Sequence, residues 1–586
     1  AMGLFQKELP SIGVLQTGGF DTVYAYTYNN SLNAWEEWIP GTTWTGSNSQ
    51  FFWIANYWVS ASNNPLFWAT NFKQTDPLRY TDGTTWTNFA PLTTATETLW
   101  QARIIIPFKG RLLMLNTWEG TTAGGAAAAT QYRQRCRFSQ VGTPIVAATS
   151  WLTVPQGKGG FIDASTNEEI VSAAFIRDQL IVWFEKSTWN LRYTGDPNIP
   201  FLWERVDSEL GAESTFSPVK FDKGVLAVGH LGITTSTGNS VERIDEKIPN
   251  EVFKFHNGND GTRRVYGIRD YVKQLVYWTF PNDNVNGTFP NRMLVFDYER
   301  GSWSFFKDSF TCFGRNLPFN DVRWIDLPTT PWEAANFQWN DGSLQSGFPD
   351  IIAGNQQGYI SLLNKQTIND PSLYISAITP GTPPIITVTN HNLQTDDFVT
   401  FTGILGTSSV LNGTTYKIVK INDNSFNILT YDPLVPGFIN VVLPGGSTYL
   451  GGGEVTTVQN FDVRTKMFNF FQQGTGAYLG YIDFLCPVTE DGEFACAVYG
   501  GYNTSVPLND GNDPSVNTQV STQGQYAVIQ EEDQAWQRFF CYVRVSSAQI
   551  RFFLNDLEMV TPELNAAEWQ ISAFIIWIEP GGTLTK

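Results

Sequence analysis

The sequence predicts an all-β protein: a β-propeller of about six to eight blades, with an inserted small β-barrel and a C-terminal β-rich platform. Three observations predict it. Aromatic residues make up 15% of the 586 residues, nearly as much as the charged residues at 16%, and 51 glycines and 30 prolines punctuate the chain. Short β-branched and aromatic runs recur between turn residues. A unit of apolar strand, turn and Trp-bearing strand repeats through residues 1–370, as radial repetition requires.

The first part of the chain, residues 1–370, is predicted to form the N-terminal portion of the propeller. At roughly 40 to 50 residues per four-stranded blade, six to eight blades fit the repeating region. Stacked sandwiches are the alternative architecture. Helical stretches are expected to be brief, near residues 165–175 and 562–569. The clearest strands are expected at residues 22–28, 103–108, 111–118, 179–184, 225–230, 274–280 and 293–298.

The stretch LRYTDGTTWTNF, residues 78–89, predicts a hairpin with an Asp-Gly turn. Asp82, Gly83, Thr85 and Trp86 resemble the Asp-box of sialidase-like propellers, Ser-x-Asp-x-Gly-x-Thr-Trp, with one residue too few before the Trp. Gly83 supplies the positive φ that the turn needs, and Trp86 is expected to cover a blade edge. Because an Asp-box lies at a blade corner, the resemblance supports a fold and implies no activity.

Residues 371–455 interrupt the Trp-rich pattern and predict a small independent barrel or sandwich inserted into the chain. The segment resembles a small β-barrel found as an insertion in phage structural proteins, with the pattern H-x-L-x-x-x-D-x-V-x-x-x-G, then L-N-G-T, then D-x-x-x-F. Asn422 replaces the usual Asp, and Asp423 follows it. The matching positions are His391, Leu393, Asp397, Val399, Gly403, Leu411, Asn412, Gly413, Thr414 and Phe426.

Residues 456–586 return to aromatic strands such as QRFFCYVRVSS and ISAFIIWIEPGG. We expect them to complete the propeller and to form a β-rich platform that packs against neighbouring subunits. Exposed apolar strand edges are an aggregation hazard in a monomer, so the pattern favours an assembled protein.

Charge and cysteine content restrict the function classes. With 37 Lys and Arg against 55 Asp and Glu, the net charge of −18 opposes phosphate neutralisation, although a local basic patch stays possible. An acidic lining would suit a passage through which DNA must slide without sticking. The chain has no CxxC pair, and its three histidines, His230, His256 and His391, lie far apart in sequence, so we expect no zinc site. We expect the cysteines to be buried, unpaired thiols in a reducing compartment. The five cysteines are Cys136, Cys312, Cys486, Cys496 and Cys541.

No targeting or membrane segment is expected. The N-terminal stretch AMGLFQKELPSIG lacks the features of a signal peptide. Apolar windows are all shorter than the ~18 residues that a membrane span needs.

Several residue groups suggest chemistry, and each has a structural alternative that we favour or weigh equally. The glycines of GHLGITTSTGN suggest a phosphate cradle but lack a following helix. Paired acids suggest general acid–base catalysis or a solvated loop, and the Asx-rich loop suggests a cation site or a turn. The three alternating arginines share a strand face and suggest DNA phosphate contacts or an intersubunit salt bridge. The stretch LGAES, residues 210–214, suggests a functional loop or a turn between blades. We expect His391 to make structural hydrogen bonds and not to bind a ligand. The groups are Gly229, Gly232 and Gly238; Asp163, Glu168 and Glu169; Asp510, Asn512 and Asp513; Arg133, Arg135 and Arg137; and Gly211 and Ser214.

Six further segments keep a common order along the chain, at residues 135–144, 180–196, 203–219, 229–253, 351–364 and 458–471. Taken in this order, they resemble the tail nozzle, or packaged-DNA stabilisation, proteins of short-tailed phages. The resemblance implies a structural, non-enzymatic virion protein with no cofactor, metal or catalytic residues. It further implies a homohexameric ring at the distal end of the portal–adaptor column, made in the host cytoplasm and located in the virion tail. Such a ring lines the channel for double-stranded DNA without reading its sequence, retains the genome, and docks tail fibres or a plug.

A carbohydrate-binding or sialidase-like propeller acting on host surface glycans is the alternative function, because Trp rings stack on sugars. A sialidase-like site would need an arginine cluster over a Tyr and Glu pair at the propeller centre. The few arginines of this chain do not suggest such a set.

Overall fold

The chain divides into two compact units, residues 1–367 and residues 368–586, which are described separately. The computed structural model describes residues 1–9, 14–29, 34–57, 65–155, 157–248, 265–281, 289–306, 310–316, 349–363, 373–391, 393–432, 434, 437–458, 462–469, 475–487, 493–500, 508, 519–521, 527–530, 534–561, 571 and 573–583.

Seven consecutive antiparallel sheets make up the first unit, and they confirm the all-β, propeller-like fold. Each is a meander whose strands follow chain order, and we name the sheets blades 1 to 7. Blades 1 to 3 contain β1 (Gly3–Leu9), β2 (Val14–Phe20), β3 (Ala25–Asn29) and β4 (Ala34–Glu37); β5 (Trp53–Tyr57), β6 (Leu66–Thr70), β7 (Leu78–Thr81) and β8 (Trp86–Phe89); and β9 (Glu97–Phe108), β10 (Arg111–Thr121), β11 (Thr130–Phe138) and β12 (Gly160–Asp163). Blades 4 to 7 contain β13 (Ile170–Ile176), β14 (Gln179–Phe184), β15 (Thr188–Tyr193) and β16 (Phe201–Asp207); β17 (Val219–Lys220), β18 (Val225–Gly229), β19 (Gly232–Ser236) and β20 (Val241–Arg243); β21 (Tyr266–Asp270), β22 (Leu275–Phe280), β23 (Arg292–Asp297) and β24 (Ser302–Phe306); and the three described strands β25 (Cys312–Asn316), β26 (Asp350–Gly354) and β27 (Ile360–Leu362).

Blade 7 packs directly on blade 1 and closes the ring. The backbone nitrogen of Ala1 donates to the Asn355 carbonyl at 2.6 Å, and the Thr311 hydroxyl donates to the Ala1 carbonyl at 2.6 Å. A Cβ on Gly314 would lie 2.5 Å from the Leu4 Cβ, so glycine lets β25 approach β1. Among the described strands none is shared between the two blades. Close packing and hydrogen bonds therefore hold the ring shut.

Tryptophans fill the spaces within and between blades, which explains why they recur in the sequence. Trp68, Trp151, Trp183 and Trp278 are completely buried. The Trp278 indole nitrogen donates across to blade 5 at the carbonyl of Ser217, 2.9 Å away. Large rings with one polar group can thus seal neighbouring blades and satisfy a backbone acceptor at once.

The expected inserted segment forms one eight-stranded antiparallel sheet around its own apolar core. We call it the insert sheet. Its hydrogen-bonded order runs from β28 to β29, and no strand pairing joins these two among the described residues. Between them, the backbone N–H of Ile375 donates to Gly453 on β35 and that of Ser376 donates to Thr387 on β30. Its strands are β28 (Leu373–Tyr374), β29 (Ala377–Thr379), β30 (Ile385–Thr387), β31 (Phe398–Gly406), β32 (Thr415–Asn422), β33 (Ser425–Asp432), β34 (Gly437–Asn440) and β35 (Tyr449–Val458).

The remaining strands form two sheets that share one apolar core, the C-terminal sandwich. The described strands of this part pair only with one another, so the expected contribution of residues 456–586 to the propeller is not found among them. One sheet contains β36 (Asp462–Arg464), β37 (Phe468–Asn469), β39 (Glu493–Gly500), β40 (Gln519–Ser521) and β43 (Ser547–Phe553). The other, which we call the aromatic sheet, contains β38 (Thr475–Pro487), β41 (Ala527–Gln530), β42 (Gln534–Val545) and β44 (Ala573–Thr583).

The described helices are few. The α-helix α1 (Asp556–Val560) begins with a capping box in which Asn555 and Glu558 satisfy each other's backbone N–H groups. Short 3-10 helices span Thr122–Gly124, Ala126–Ala128 and Thr407–Leu411. The helical stretch expected at residues 165–175 was wrong, because a turn there leads into β13. The stretch at 562–569 lies outside the described residues.

All five cysteines are buried and none forms a disulfide, as the sequence predicts. Burial raises the pKa of Cys486 to about 12 and also raises the pKa of Cys136, Cys312, Cys496 and Cys541, because a thiolate loses its hydration there. These thiols behave as small apolar core residues.

Candidate interaction surface

An exposed aromatic surface covers the outer side of the aromatic sheet. Tyr481 on β38 lies opposite Phe540 on β42 and Trp577 on β44, so three strands bring these rings together. Tyr542 follows Phe540 on the same side, and the two rings stack with centroids 5.7 Å apart. Trp577 lies 5.5 Å from Tyr481. We call Tyr481, Arg538, Phe540, Tyr542 and Trp577 the aromatic face.

The backbone of the aromatic face is bent so that one ring projects outward. The register of β38 with both neighbours shifts between Leu479 and Tyr481. Opposite this shift, Tyr542 has φ +49°, a left-handed conformation that bulky residues seldom adopt. Its side chain is 70% exposed. Bulges of this kind redirect side chains, and the ring redirected here is that of Tyr542.

An ion pair fixes the rings in place. Arg538 makes two hydrogen bonds to the Asp483 carboxylate, at 2.7 and 2.9 Å, and its guanidinium lies 3.9 Å from the Tyr481 ring centroid. The Trp577 indole nitrogen donates to the same carboxylate at 2.8 Å. The hydrogen bonds that Arg538 donates to Asp483 raise the pKa of Arg538. The face is therefore pre-organised, and it combines Tyr, Trp and Arg, the residues that dominate protein interfaces.

Two of the three alternating arginines of β11 form ion pairs inside blade 3. Arg135 forms a two-bond pair with Asp163, at 2.8 and 2.9 Å, and Arg137 pairs with Glu119 at 2.6 and 2.8 Å. Both arginines are buried, so the expected phosphate contact or intersubunit salt bridge was wrong for these two. A register shift in β11 separates them from Arg133, which is exposed and for which the expectation stays a prediction.

The paired acids do not share a catalytic site. Glu169 lies 2.7 Å from the Arg103 guanidinium with 15% of its side chain exposed, and Glu168 accepts hydrogen bonds from the backbone N–H of Lys186 and the Ser187 hydroxyl. Asp163 forms an ion pair with Arg135. A solvated loop was therefore wrong for Glu169, whose carboxylate joins two blades.

The glycine-rich hairpin of blade 5 is structural. Gly229 pairs with Gly232 across the turn between β18 and β19. A Cβ on Gly232 would lie 2.7 Å from both Arg243 Nε and the Asp245 carboxylate oxygens, which bond to each other, so this glycine makes room for an internal ion pair.

The LGAES stretch connects blade 4 to blade 5, as we expected of a turn between blades. A Cβ on Gly211 would lie 2.4 Å from the Phe184 carbonyl oxygen. Ser214 is buried and donates to the Val265 carbonyl at 2.6 Å.

His391 is a structural hydrogen bonder, as predicted. Its Nδ1 accepts the backbone N–H of Leu393 at 3.0 Å, so Nε2 carries the proton and donates to the Asn422 carbonyl at 2.9 Å. Burial lowers its pKa to about 4. Because Asn422 contributes its backbone carbonyl here, Asn can replace the Asp of the resembled pattern without losing this contact.

The other polar residues of that pattern also shape the insert sheet. Asp397 accepts the backbone N–H of Gln394 at 2.7 Å. The Asn412 side chain binds both the N–H and the carbonyl of Ile404, at 3.0 and 3.1 Å. Gly403 has φ +74° and suits a position that other residues resist. These residues of the pattern therefore contribute to the fold of the insert sheet.

The Asp-Gly turn of blade 2 has the predicted geometry. Gly83 has φ +110°, and the Asp82 carboxylate accepts from the Thr84 hydroxyl and N–H, which lowers the pKa of Asp82. Trp86 packs 5.2 Å from both Trp38 and Trp44. The turn closes a blade hairpin.

Lys7, 1% exposed, lies beneath this turn with no hydrogen-bond partner for its Nζ among the described residues. Burial lowers its pKa from 10.5 to about 8. Below pH 8 the folded protein therefore carries a poorly solvated charge, an effect on the order of 3 kcal/mol, from which the contact with Trp38 at 5.0 Å recovers about 1 kcal/mol.

We expect Lys7→Met to raise the unfolding free energy of the first unit by about 2 kcal/mol at pH 7. The gain should shrink as pH rises from about 8 to 10.5, because the wild-type lysine loses its proton in the folded state first. Denaturant titrations at pH 7 and pH 10 measure both effects. Lys186→Met, at an exposed position, controls for the substitution. A variant less stable than wild type at pH 7 would contradict the expectation.

A cavity of about 400 Å³ lies on the propeller axis, between the inner strands of blades 2 to 6. Its walls are mainly apolar and aromatic, and among its lining residues Lys220 alone is charged. The lining contains Tyr266 but neither arginine nor carboxylate, so the constellation of a sialidase-like site is missing from this cavity. No sequence pattern singles out these residues, since the inner strands of the blades have the same composition pattern as the other strands.

Two further searches concern only the described part of the chain. No group of three or more His, Cys, Asp or Glu side chains there could hold a metal ion. No helix within it has the length and apolar character that crossing a bilayer requires. Asp510, Asn512 and Asp513 of the Asx-rich loop, and His256, lie outside the described residues.

Comparison with known proteins adds one local similarity. Residues 380–459 match the family model of the ubiquitin-activating enzyme E1 FCCH domain, which covers most of the insert sheet. No curated protein matches the chain. A solved structure described as a novel fungal alcohol oxidase of the AA5 family, in complex with copper, aligns with 75% of this chain and 96% of its own at 10% identity. Its TM-score of 0.31 is too low to support an argument about fold or chemistry.

Proposed function

We propose that the protein is a structural virion component, a tail nozzle subunit that assembles into a ring, without enzymatic activity. The ordered sequence resemblance along residues 135–471 suggests it, and the aromatic face is the structural observation that carries it. A monomeric protein rarely keeps Tyr and Trp rings and an Arg guanidinium fixed and open to water on one sheet, whereas an interface gains from burying them.

In this proposal the aromatic face contacts a neighbouring copy of the chain in the ring. DNA passes through the hole enclosed by several subunits and not along the axis of one propeller. Double-stranded DNA is too wide for the cavity of one propeller, because its major groove alone is about 12 Å wide and the whole cavity measures about 400 Å³. Retention of packaged DNA, docking of fibres or a plug, and the location in a virion tail belong to the same proposal.

We expect the purified chain to form a ring of about six copies, and Tyr542→Asp to weaken assembly by about 30-fold or more. An exposed hot-spot residue contributes about 2 kcal/mol or more per interface, and the new carboxylate would be buried without a partner. Light scattering across a concentration series, with negative-stain imaging, measures both.

Tyr374→Asp is the matched control, since Tyr374 is 60% exposed on the insert sheet of the same unit. Unchanged assembly of Tyr542→Asp would reject the aromatic face as the contact. A wild-type protein that stays monomeric up to about 100 µM, far above the dissociation constants of stable assemblies, would reject self-assembly of the isolated chain.

A carbohydrate-binding role is the second candidate, favoured by the exposed ring of Tyr542. A glycan array separates the two, because glycan binding that Tyr542→Asp abolishes in a monomeric protein would favour the second.

A further inference from the structure

We propose that the axial cavity of the propeller binds a small organic anion with a flat apolar body, such as an aromatic carboxylate. The inference is independent of ring assembly. It rests on the composition of the cavity wall, the position of Lys220 and the stacking of the rings around it.

One wall of the cavity is a stack of rings. The rings of Phe216 and Tyr266 stack in parallel, with an interplanar angle of 2° and centroids 5.0 Å apart, and the Trp53 ring centroid lies 6.0 Å from that of Phe216. The Trp53 indole nitrogen donates to the Ile105 carbonyl at 2.8 Å, which fixes this ring. The stack therefore offers fixed apolar surface to a flat ligand.

The charged group among the residues that line the cavity is the ammonium of Lys220. Lys220 is at the end of β17, and its Nζ lies 5.4 Å from the Phe175 ring centroid. Among the described residues it has no ion pair, and the lining contains no carboxylate. Its side chain reaches water in the cavity, yet the surrounding protein lowers its pKa. An anion next to Nζ would restore the interaction that the protein does not provide.

The size and character of the cavity agree with this occupant. Small-molecule sites usually measure about 300 to 1,000 Å³ and combine an apolar wall with a few polar groups. Asn56 and Thr215 also line the cavity and can hydrogen-bond a second polar group on the ligand. The lone positive charge selects anions in a protein whose net charge is −18.

Isothermal titration with 1-naphthoate, and with neutral 1-naphthamide as its uncharged counterpart, tests the proposal on the full chain. We expect naphthoate to bind one site per chain and naphthamide to bind at least tenfold more weakly. Lys220→Met should reduce naphthoate affinity at least tenfold while leaving the naphthamide affinity unchanged, and Lys220→Arg should retain binding. Lys186→Met, which removes an exposed lysine of the same unit, should leave both affinities unchanged.

Failure of naphthoate to bind at millimolar concentration would overturn the proposal. Equal affinity for the acid and the amide, or undiminished binding to Lys220→Met, would overturn it as well. Thermal unfolding of Lys220→Met shows whether the variant is folded, and Lys220→Arg tests the role of charge should it not be. Tyr542→Asp should bind naphthoate like wild type, which separates the cavity from the aromatic face.

Discussion

Glu119→Gln should lower the unfolding free energy of the first unit by about 3 to 5 kcal/mol. Glu119 is 4% exposed and accepts hydrogen bonds from Arg135, from Arg137 and from the Thr117 hydroxyl. A glutamine keeps the volume but removes the charge that balances two buried guanidinium groups, and an uncompensated buried charge is costly. Denaturant unfolding of the first unit, followed by tryptophan fluorescence, measures the loss.

Two further variants show whether charge is the cause. Glu97→Gln changes an exposed carboxylate of the same blade and should alter stability by less than about 0.5 kcal/mol. The double variant Glu119→Leu with Arg137→Met removes both partners of the buried pair, so its loss should be smaller than the sum of the single losses. Additive losses would show that the pair is not coupled.

The same cluster shows where the sequence was informative and where it was not. Alternation in YRQRCRF correctly gave Arg135 and Arg137 a common side of β11, because side chains in a strand alternate. It could not show which side faces the interior, nor the register shift that separates Arg133 from them. The partners Glu119 and Asp163 come from different strands, and their pairing depends on tertiary packing.

Turn chemistry was the most predictable part of the fold. Gly83 and the repeated Trp residues indicated blade hairpins, because an Asp-Gly turn and a large ring each have local requirements. The aromatic face was harder to predict, since Tyr481, Phe540 and Trp577 meet from three strands distant in sequence. The alternation in RFFCYV does indicate part of the aromatic face, because Phe539 and Cys541 are buried while Phe540 and Tyr542 are exposed. The left-handed backbone at Tyr542 depends on sheet register, which no local pattern specifies.

A large loss of stability in acid is expected in the insert sheet, whose stability should fall as pH drops from about 6.5 to about 4. His391 has an ordinary pKa of 6.5 when unfolded and a pKa of about 4 in the folded protein, because burial disfavours its charged form. Between these values the unfolded chain binds a proton that the folded chain does not. Acid therefore favours unfolding there, and stability is retained above the unfolded pKa. The expected loss is about 2 kcal/mol between pH 7 and pH 5 and about 3 kcal/mol in full.

His391→Gln should abolish this component of the pH dependence, since a carboxamide does not titrate. The measurement is the denaturant dependence of hydrogen exchange in peptides from residues 385–428 of the full chain, at pH 7 and pH 5, corrected for intrinsic exchange rates. Subtracting the variant from wild type isolates His391 from the carboxylates. His230→Gln, in the first unit, should leave the exchange of these peptides unchanged. The contradicting result is a difference in opening free energy between wild type and His391→Gln that stays constant from pH 7 to pH 5. It would show that burial does not hold the imidazole neutral and that the charged ring keeps its hydrogen bond to Asn422.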